Sequence, residues 1–125
     1  MNIDKYIQKA RNAIEKTYIG KCNIIEYNEN KNSETKITTH VENIVCKNQP
    51  CRVSFQKIDT ATEKDGANEI SQIIKLFIDP AIQIKEGSKI VVTQNNITTA
   101  YQKTGVPAMY STHQEIELKL FEGWA

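Results

Sequence analysis

Residues 115–121, Glu-Ile-Glu-Leu-Lys-Leu-Phe, constrain this chain more than any other stretch. Ile116, Leu118 and Leu120 share one face while Glu115, Glu117 and Lys119 share the other, which is the two-residue period of a strand with one core side and one solvent side. A slip of one residue would turn every apolar side chain outward, so the pattern fixes the register as well as the strand. Upstream, from Asp79-Pro80, short strand-like runs are punctuated by Gly87, by Asn95-Asn96 and by Gly105-Val106-Pro107. That spacing writes a mainly β chain, a small antiparallel β-barrel or sandwich.

The N-terminal part has a different period. Ile3, Tyr6, Ile7, Ala10, Ala13, Ile14, Thr17 and Tyr18 recur every three or four residues, which predicts an amphipathic α-helix over residues 1–20, with a cationic last turn and Gly20 as a left-handed cap. Such a helix covers its own core or packs on a neighbouring subunit. From residue 21 to 125 the chain reads as the barrel, and the whole forms a single domain. Residues 22–27 are expected as a strand, 28–34 as a polar turn, and 35–46 as the hairpin partner with Ile37, Thr39, Val41 and Val45 on one side. Asn48-Gln49-Pro50 should break that ladder, and residues 51–57 should form a further strand with Cys51, Val53 and Phe55 inward. Residues 71–79 and 82–84 lead to a turn at Lys85-Glu86-Gly87-Ser88, and strands at 90–94 and 97–103 flank the Asn95-Asn96 hairpin turn.

One long stretch has no apolar period. Residues 58–70 contain Asp59, Thr60, Glu63, Lys64, Asp65, Gly66, Asn68 and Glu69 between two confident strands, so they are expected as a protruding inter-strand loop. Loops of this length in small domains are functional or disordered.

Composition narrows the function classes. A formal net charge of +1 over 125 residues argues against a nonspecific nucleic-acid binder, which collects Lys and Arg to displace phosphate counterions. No apolar run is long enough to span a bilayer and the first residues lack the apolar core of a signal peptide, so the expectation is a cytoplasmic product without a membrane role. Cys22, Cys46 and Cys51 make an odd count unsuited to a disulfide framework. A zinc site would need them together with His40 or His113, and buried free thiols are the plainer reading. No phosphate loop, zinc-protease helix or nucleophile elbow is present, so a non-enzyme without a cofactor is expected. His40 and His113 read as packing residues, and Glu115 and Glu117 as a polar outer face. Phe121 and Trp124, large aromatics close to the chain end, suggest docking on another surface.

The order of these elements, together with Asp79-Pro80, Ile84-Lys85-Glu86-Gly87-Ser88-Lys89-Ile90, Tyr101, Gly105, Pro107, Tyr110 and His113-Gln114-Glu115-Ile116, resembles the head-closure, or stopper, proteins of tailed bacteriophages and of prophages of Gram-positive bacteria. The resemblance implies a ring of roughly six or twelve identical subunits in the virion neck, assembled in the bacterial host cytoplasm. It implies portal or adaptor proteins on one side and tail-terminator or tail proteins on the other. Packaged duplex DNA would pass through the channel and be weakly contacted. The loop at 58–70 would point into the channel, and Phe121 and Trp124 would meet neighbouring subunits or the tail. Alternatives are another ring protein of the same neck, an adaptor or tail terminator, and a single-stranded nucleic-acid-binding barrel using Tyr27, Phe55, Phe77 and Tyr101 as stacking platforms.

Overall fold

The alternating segments close on themselves in the computed structural model, which describes residues 3–31, 34–60 and 69–124. One helix, α1 (Ile3–Glu15), precedes six strands: β1 (Gly20–Lys31), β2 (Thr38–Thr60), β3 (Glu69–Ile78), β4 (Lys89–Gln94), β5 (Ile97–Met109) and β6 (Gln114–Leu120). They pair in the order β1-β2-β3-β6-β5-β4, and β4 returns to β1. Every pairing is antiparallel. Closure removes the edges that an open sheet would leave bare, at least within the barrel wall.

Inward-facing residues of all six strands build one core. Ile24, Leu76, Ile78, Ile90 and Ile116 are fully buried together with Cys22 and Cys51. Leu76 stands in register between Val53 on β2 and Ile116 on β6, so three strands meet at its side chain. Buried Gln114 donates from Nε2 to the carbonyls of Asp79 and Ile82, fixing the link from β3 towards β4. The Asn95-Asn96 turn forms as expected: both residues adopt positive φ, 54° and 64°, the geometry that matches strand twist in a two-residue hairpin. The three cysteines are free. A hydrogen bond with Cys51 and burial push the Cys22 thiol pKa up, so it stays protonated. Among the described residues no group of acidic, His or Cys side chains could hold a metal.

Several boundaries differ from expectation. Asn48-Gln49-Pro50 does not end a strand. β2 runs through it, with Lys21 opposite Pro50 and Cys22 opposite Gln49, and Asn48 absorbs the irregularity at φ 54°. Pro50 is tolerated because alternate residues aim at alternate edges: Cys51 faces β1, so the missing N–H of Pro50 faces the side where β3 has not yet begun. β1 extends to Lys31 through most of the expected turn, and β5 continues across Gly105-Val106-Pro107 as a bulge with Gly105 at φ 68°. The expected loop at 58–70 is shorter, since the β2–β3 ladder pairs Asp59 with Ile70 and Thr60 with Glu69. Asp59, Thr60 and Glu69 are therefore strand residues, whereas Glu63, Lys64, Asp65, Gly66 and Asn68 lie outside the described residues. Leu120 shares the inward face of Ile116 and Leu118 but sits at the strand end, exposed.

The helix also departs from its reading. It stops at Glu15, has no basic residue in its last turn, and Gly20 is not its cap. Gly20 instead opens β1 where a Cβ would lie 3.0 Å from Gln94 Oε1 and 3.3 Å from the Cys51 carbonyl, so a larger residue would press on both and glycine fits the close approach. Ile7, Arg11, Ile14 and Tyr18 form a half-buried stripe, and Arg11 donates to the Ser111 carbonyl at 2.8 Å. Burial, helped by the negative charges of Glu15 and Asp79, pushes the Tyr18 hydroxyl from 10.0 up to about 12. The folded chain thus keeps a proton that the unfolded chain gives up first. Stability present below pH 10 is expected to fall as pH rises from 10 to about 12, and Tyr18→Phe should flatten that fall in a series of thermal melts. Equal pH dependence in the variant would locate the alkaline instability elsewhere.

Candidate functional site: two hairpin arms and an open barrel mouth

Two hairpins outrun the barrel. β1 pairs with β4 only from Lys21 to Ile25, yet pairs with β2 as far as Lys31 opposite Thr38, so residues 26–31 and 38–43 form a two-stranded arm. At the other end β3 pairs with β6 only from Ile74 to Ile78, while β2 and β3 stay paired out to Thr60 and Glu69. Because β1 and β2 run in opposite directions, the two arms leave opposite ends of the barrel. Two-stranded ribbons are marginally stable in water, so arms of this kind gain from something packed on them.

Val41 on the first arm, Ile37 just before it, and Ile44 and Val45 where it joins the barrel are all exposed, Ile44 at 55% and Val45 at 50%. Val41 and Val45 were expected on one side of the hairpin strand with Ile37 and Thr39. Their alternation is real but continues past the barrel wall, where no core exists to receive it. The second arm begins at the barrel mouth. There Phe55, 52% exposed, and Ile97, 66% exposed, overhang a pocket of about 120 Å³ floored by Val53, Val92 and Tyr101. Phe55 is on the inward face, as expected, but at the rim.

The C-terminal segment straps the first arm to the barrel. Phe121 donates its backbone N–H to the Ala100 carbonyl, which leads the chain across β5. Trp124 then stacks on Tyr27, with centroids 4.7 Å apart and planes 8° from parallel, and Tyr27 stacks in turn on His40 at 5.1 Å. Phe121 meets Trp124 edge-on at 4.9 Å, and Lys89 Nζ lies 5.2 Å from the Phe121 centroid. Glu42 Oε1 accepts from Trp124 Nε1 at 3.1 Å and faces Lys89 Nζ at 3.7 Å. The aromatics near the chain end thus have partners in their own chain, and the signal for that clasp, Tyr27 and His40 on facing strands, was not read from the sequence. Trp124→Ala is expected to cost about 1–2 kcal/mol, the worth of one aromatic stack and one partly exposed hydrogen bond, measured by denaturant unfolding. Tyr27→Ala should red-shift the fluorescence of the lone tryptophan without unfolding the barrel. No red shift would mean that Trp124 is held by other contacts.

The platforms that a single-stranded nucleic-acid reader would use are largely taken. Tyr27 is stacked on one side by His40 and on the other by Trp124, Arg52 lies 4.4 Å over the Phe77 ring, and Tyr101 is buried in the core. His113 is likewise a packing residue, stacked on Tyr110 at 4.9 Å and hydrogen-bonded to Thr112. The channel-loop residues divide as described above. Phe121 and Trp124, expected at an interface, lie on the outer surface over β5 and the first arm.

The class defined by these features is a closed six-stranded antiparallel barrel with long hairpin arms and a helix at its N-terminus. No family model matches the chain, and no curated protein matches it. Among solved structures it is similar to the phage-like element PBSX protein xkdH from Bacillus subtilis, with a TM-score of 0.50 and 12% identity over 82% of this chain and 93% of that one. At that identity the likeness establishes a shared fold.

Proposed function

We propose that this protein is a structural subunit of a tailed phage or prophage particle, placed as a ring in the neck between the portal and the tail, where it closes the head and retains packaged DNA. The observation that carries the reading is the pair of arms leaving opposite ends of one barrel, with exposed apolar side chains on or beside their roots, Val41, Ile44 and Val45 at one end and Phe55 and Ile97 at the other, that a solitary subunit gains nothing by exposing. Two different surfaces at two ends suit a head-to-tail contact, which repeats from copy to copy and closes as a ring. The fold shared with a protein of a phage-like element supports the setting. Near-neutral charge supports a channel through which DNA slides, since dense phosphate contacts would hold it.

In this arrangement the β2–β3 arm is directed to the channel, and the clasp of Phe121 and Trp124 presents the first arm to a neighbouring subunit or to the tail. Electron microscopy of particles carrying a tagged copy tests the reading. A closed ring of this barrel at the head–tail junction is the expected image. Label on the capsid shell or the tail tip, or its absence from particles, would sink it. A single-stranded nucleic-acid role is the weaker alternative because Tyr27, Phe77 and Tyr101 are stacked or buried and leave Phe55 alone exposed among the four platforms, and nanomolar binding to oligonucleotides would reinstate it.

A further inference from the structure

β2 serves two partners in succession, and each side is bare where the other is paired. It pairs with β1 up to Cys51 and with β3 from Cys51 onward. Beyond Cys51 the side that faced β1 has no strand partner among the described residues. The chain itself marks where this gap begins. Gln94 Oε1 accepts the Val53 N–H at 2.9 Å and Gln94 Nε2 donates to the Val53 carbonyl at 3.0 Å, so one side-chain amide does for Val53 what a residue of an adjacent strand would do. Alternate residues of a strand aim their N–H and C=O at the same edge. Phe55 and Lys57 therefore point theirs as Val53 does, and no described group meets them. This bare edge borders the apolar pocket under Phe55 and Ile97.

Bare edges invite another strand unless charge, proline or a bulge blunts them. Three others can be compared. The β1 edge at residues 26–31 carries Glu26 and Glu29. The β2 edge at residues 47–50 carries Lys47, the irregular Asn48 and Pro50. The β2 edge at residues 38–46, on the side where β3 has not begun, carries one carboxylate, Glu42, and an irregularity at Val45, but it is the most apolar of the three, with Val41, Ile44 and Val45 exposed. The edge at Phe55 and the most apolar of the other three thus lie on the same strand, on opposite sides of it and towards opposite ends of the barrel.

We propose that a second copy of this chain lays its residues 38–46 along the β2 edge at Phe55 and Lys57, adding a strand there and bringing the face that carries Val41 against Phe55 and Ile97. The inference rests on the ring reading above and names the contact that would build it. Main-chain hydrogen bonds supply the affinity and the apolar pocket supplies the register, as in other strand additions. Each copy offers one donor edge and one acceptor edge, so the contact propagates and does not close in a pair.

The test is hydrogen exchange on the full-length chain, isotope-labelled and titrated with unlabelled chain to about 1 mM, enough to half-occupy a contact with a millimolar Kd. Amides of Phe55 and Lys57 should slow by about twofold at half occupancy, while those of Ser54 and Gln56, already turned to β3, keep their rates. Unlabelled chain carrying Val41→Asp and Ile44→Asp should give no such protection. Lys57→Pro in the labelled chain should keep the fold, because that N–H serves no internal ladder, and should lose the effect. Unchanged Phe55 and Lys57 amides, or equal protection by the doubly substituted chain, overturns the proposal. A ring seen in particles with this edge uncovered would also overturn it while leaving the ring reading intact, whereas protection in solution without a ring in particles would do the reverse.

Discussion

Particles whose copies of this chain have residues 59–70 replaced by an Asn-Gly turn between Ile58 and Ser71 are expected to assemble necks and then lose their DNA. Ile58 stands opposite Ser71 in the ladder and, like Ser54 and Gln56, turns its N–H and C=O to β3, so a two-residue turn closes the shortened hairpin in register. The pairs removed lie beyond Ile74, where β3 begins to pair with β6, so the pairing of β3 with β6 is untouched. A shorter connection also lowers the entropy lost on closing it. The melt should therefore stay within a few degrees of the parent's, as expected for a change of less than about 1 kcal/mol. If the arm closes the channel, micrographs should show empty heads and the genome should become nuclease-sensitive. Full heads and normal infectivity would pass the closing role to another segment or another neck protein.

What could be read from the sequence was what is local. The Asn95-Asn96 turn, the β6 alternation and the inward set Cys51 and Val53 follow from residue chemistry within a few positions, and the barrel contains them as expected. What could not be read depended on distant partners. Pro50 looked like a break because its missing donor is visible in sequence, while the bare edge it faces is not. Gly20 looked like a helix cap because a glycine after a helix usually is one; its constraint is a side chain at position 94.

The candidate site was harder still. Ile37, Val41 and Val45 have the alternation of a buried face, and periodicity reports only that the residues share a side. Whether a wall, a clasp or another chain covers that side is set by where β4 stops pairing, at Ile25 opposite Lys89. Trp124 was recognisable as an aromatic with a docking task. Its partner Tyr27, almost the length of the chain away, was identifiable only in the fold.

Two substitutions of equal chemistry separate the covered from the uncovered. Leu76→Ala is expected to cost about 2–5 kcal/mol, because the deleted atoms leave a cavity between Val53 and Ile116 that a closed barrel relaxes poorly. A loss of that size lowers the melting temperature by about ten degrees or more and leaves little folded chain at elevated temperature. Ile44→Ala removes a similar side chain from an alternating strand, yet more than half of Ile44 is already in water, so the isolated chain should change by no more than about 0.5 kcal/mol. Its effect should instead fall on assembly, as reduced incorporation into particles at unchanged stability. Calorimetry of both variants beside a count of incorporated copies decides the matter. If Ile44→Ala destabilises the free chain as strongly as Leu76→Ala, the first arm is part of the core and offers no docking surface. If it affects neither stability nor incorporation, the exposed stripe has no partner and the head-to-tail contact must use the other faces of the barrel.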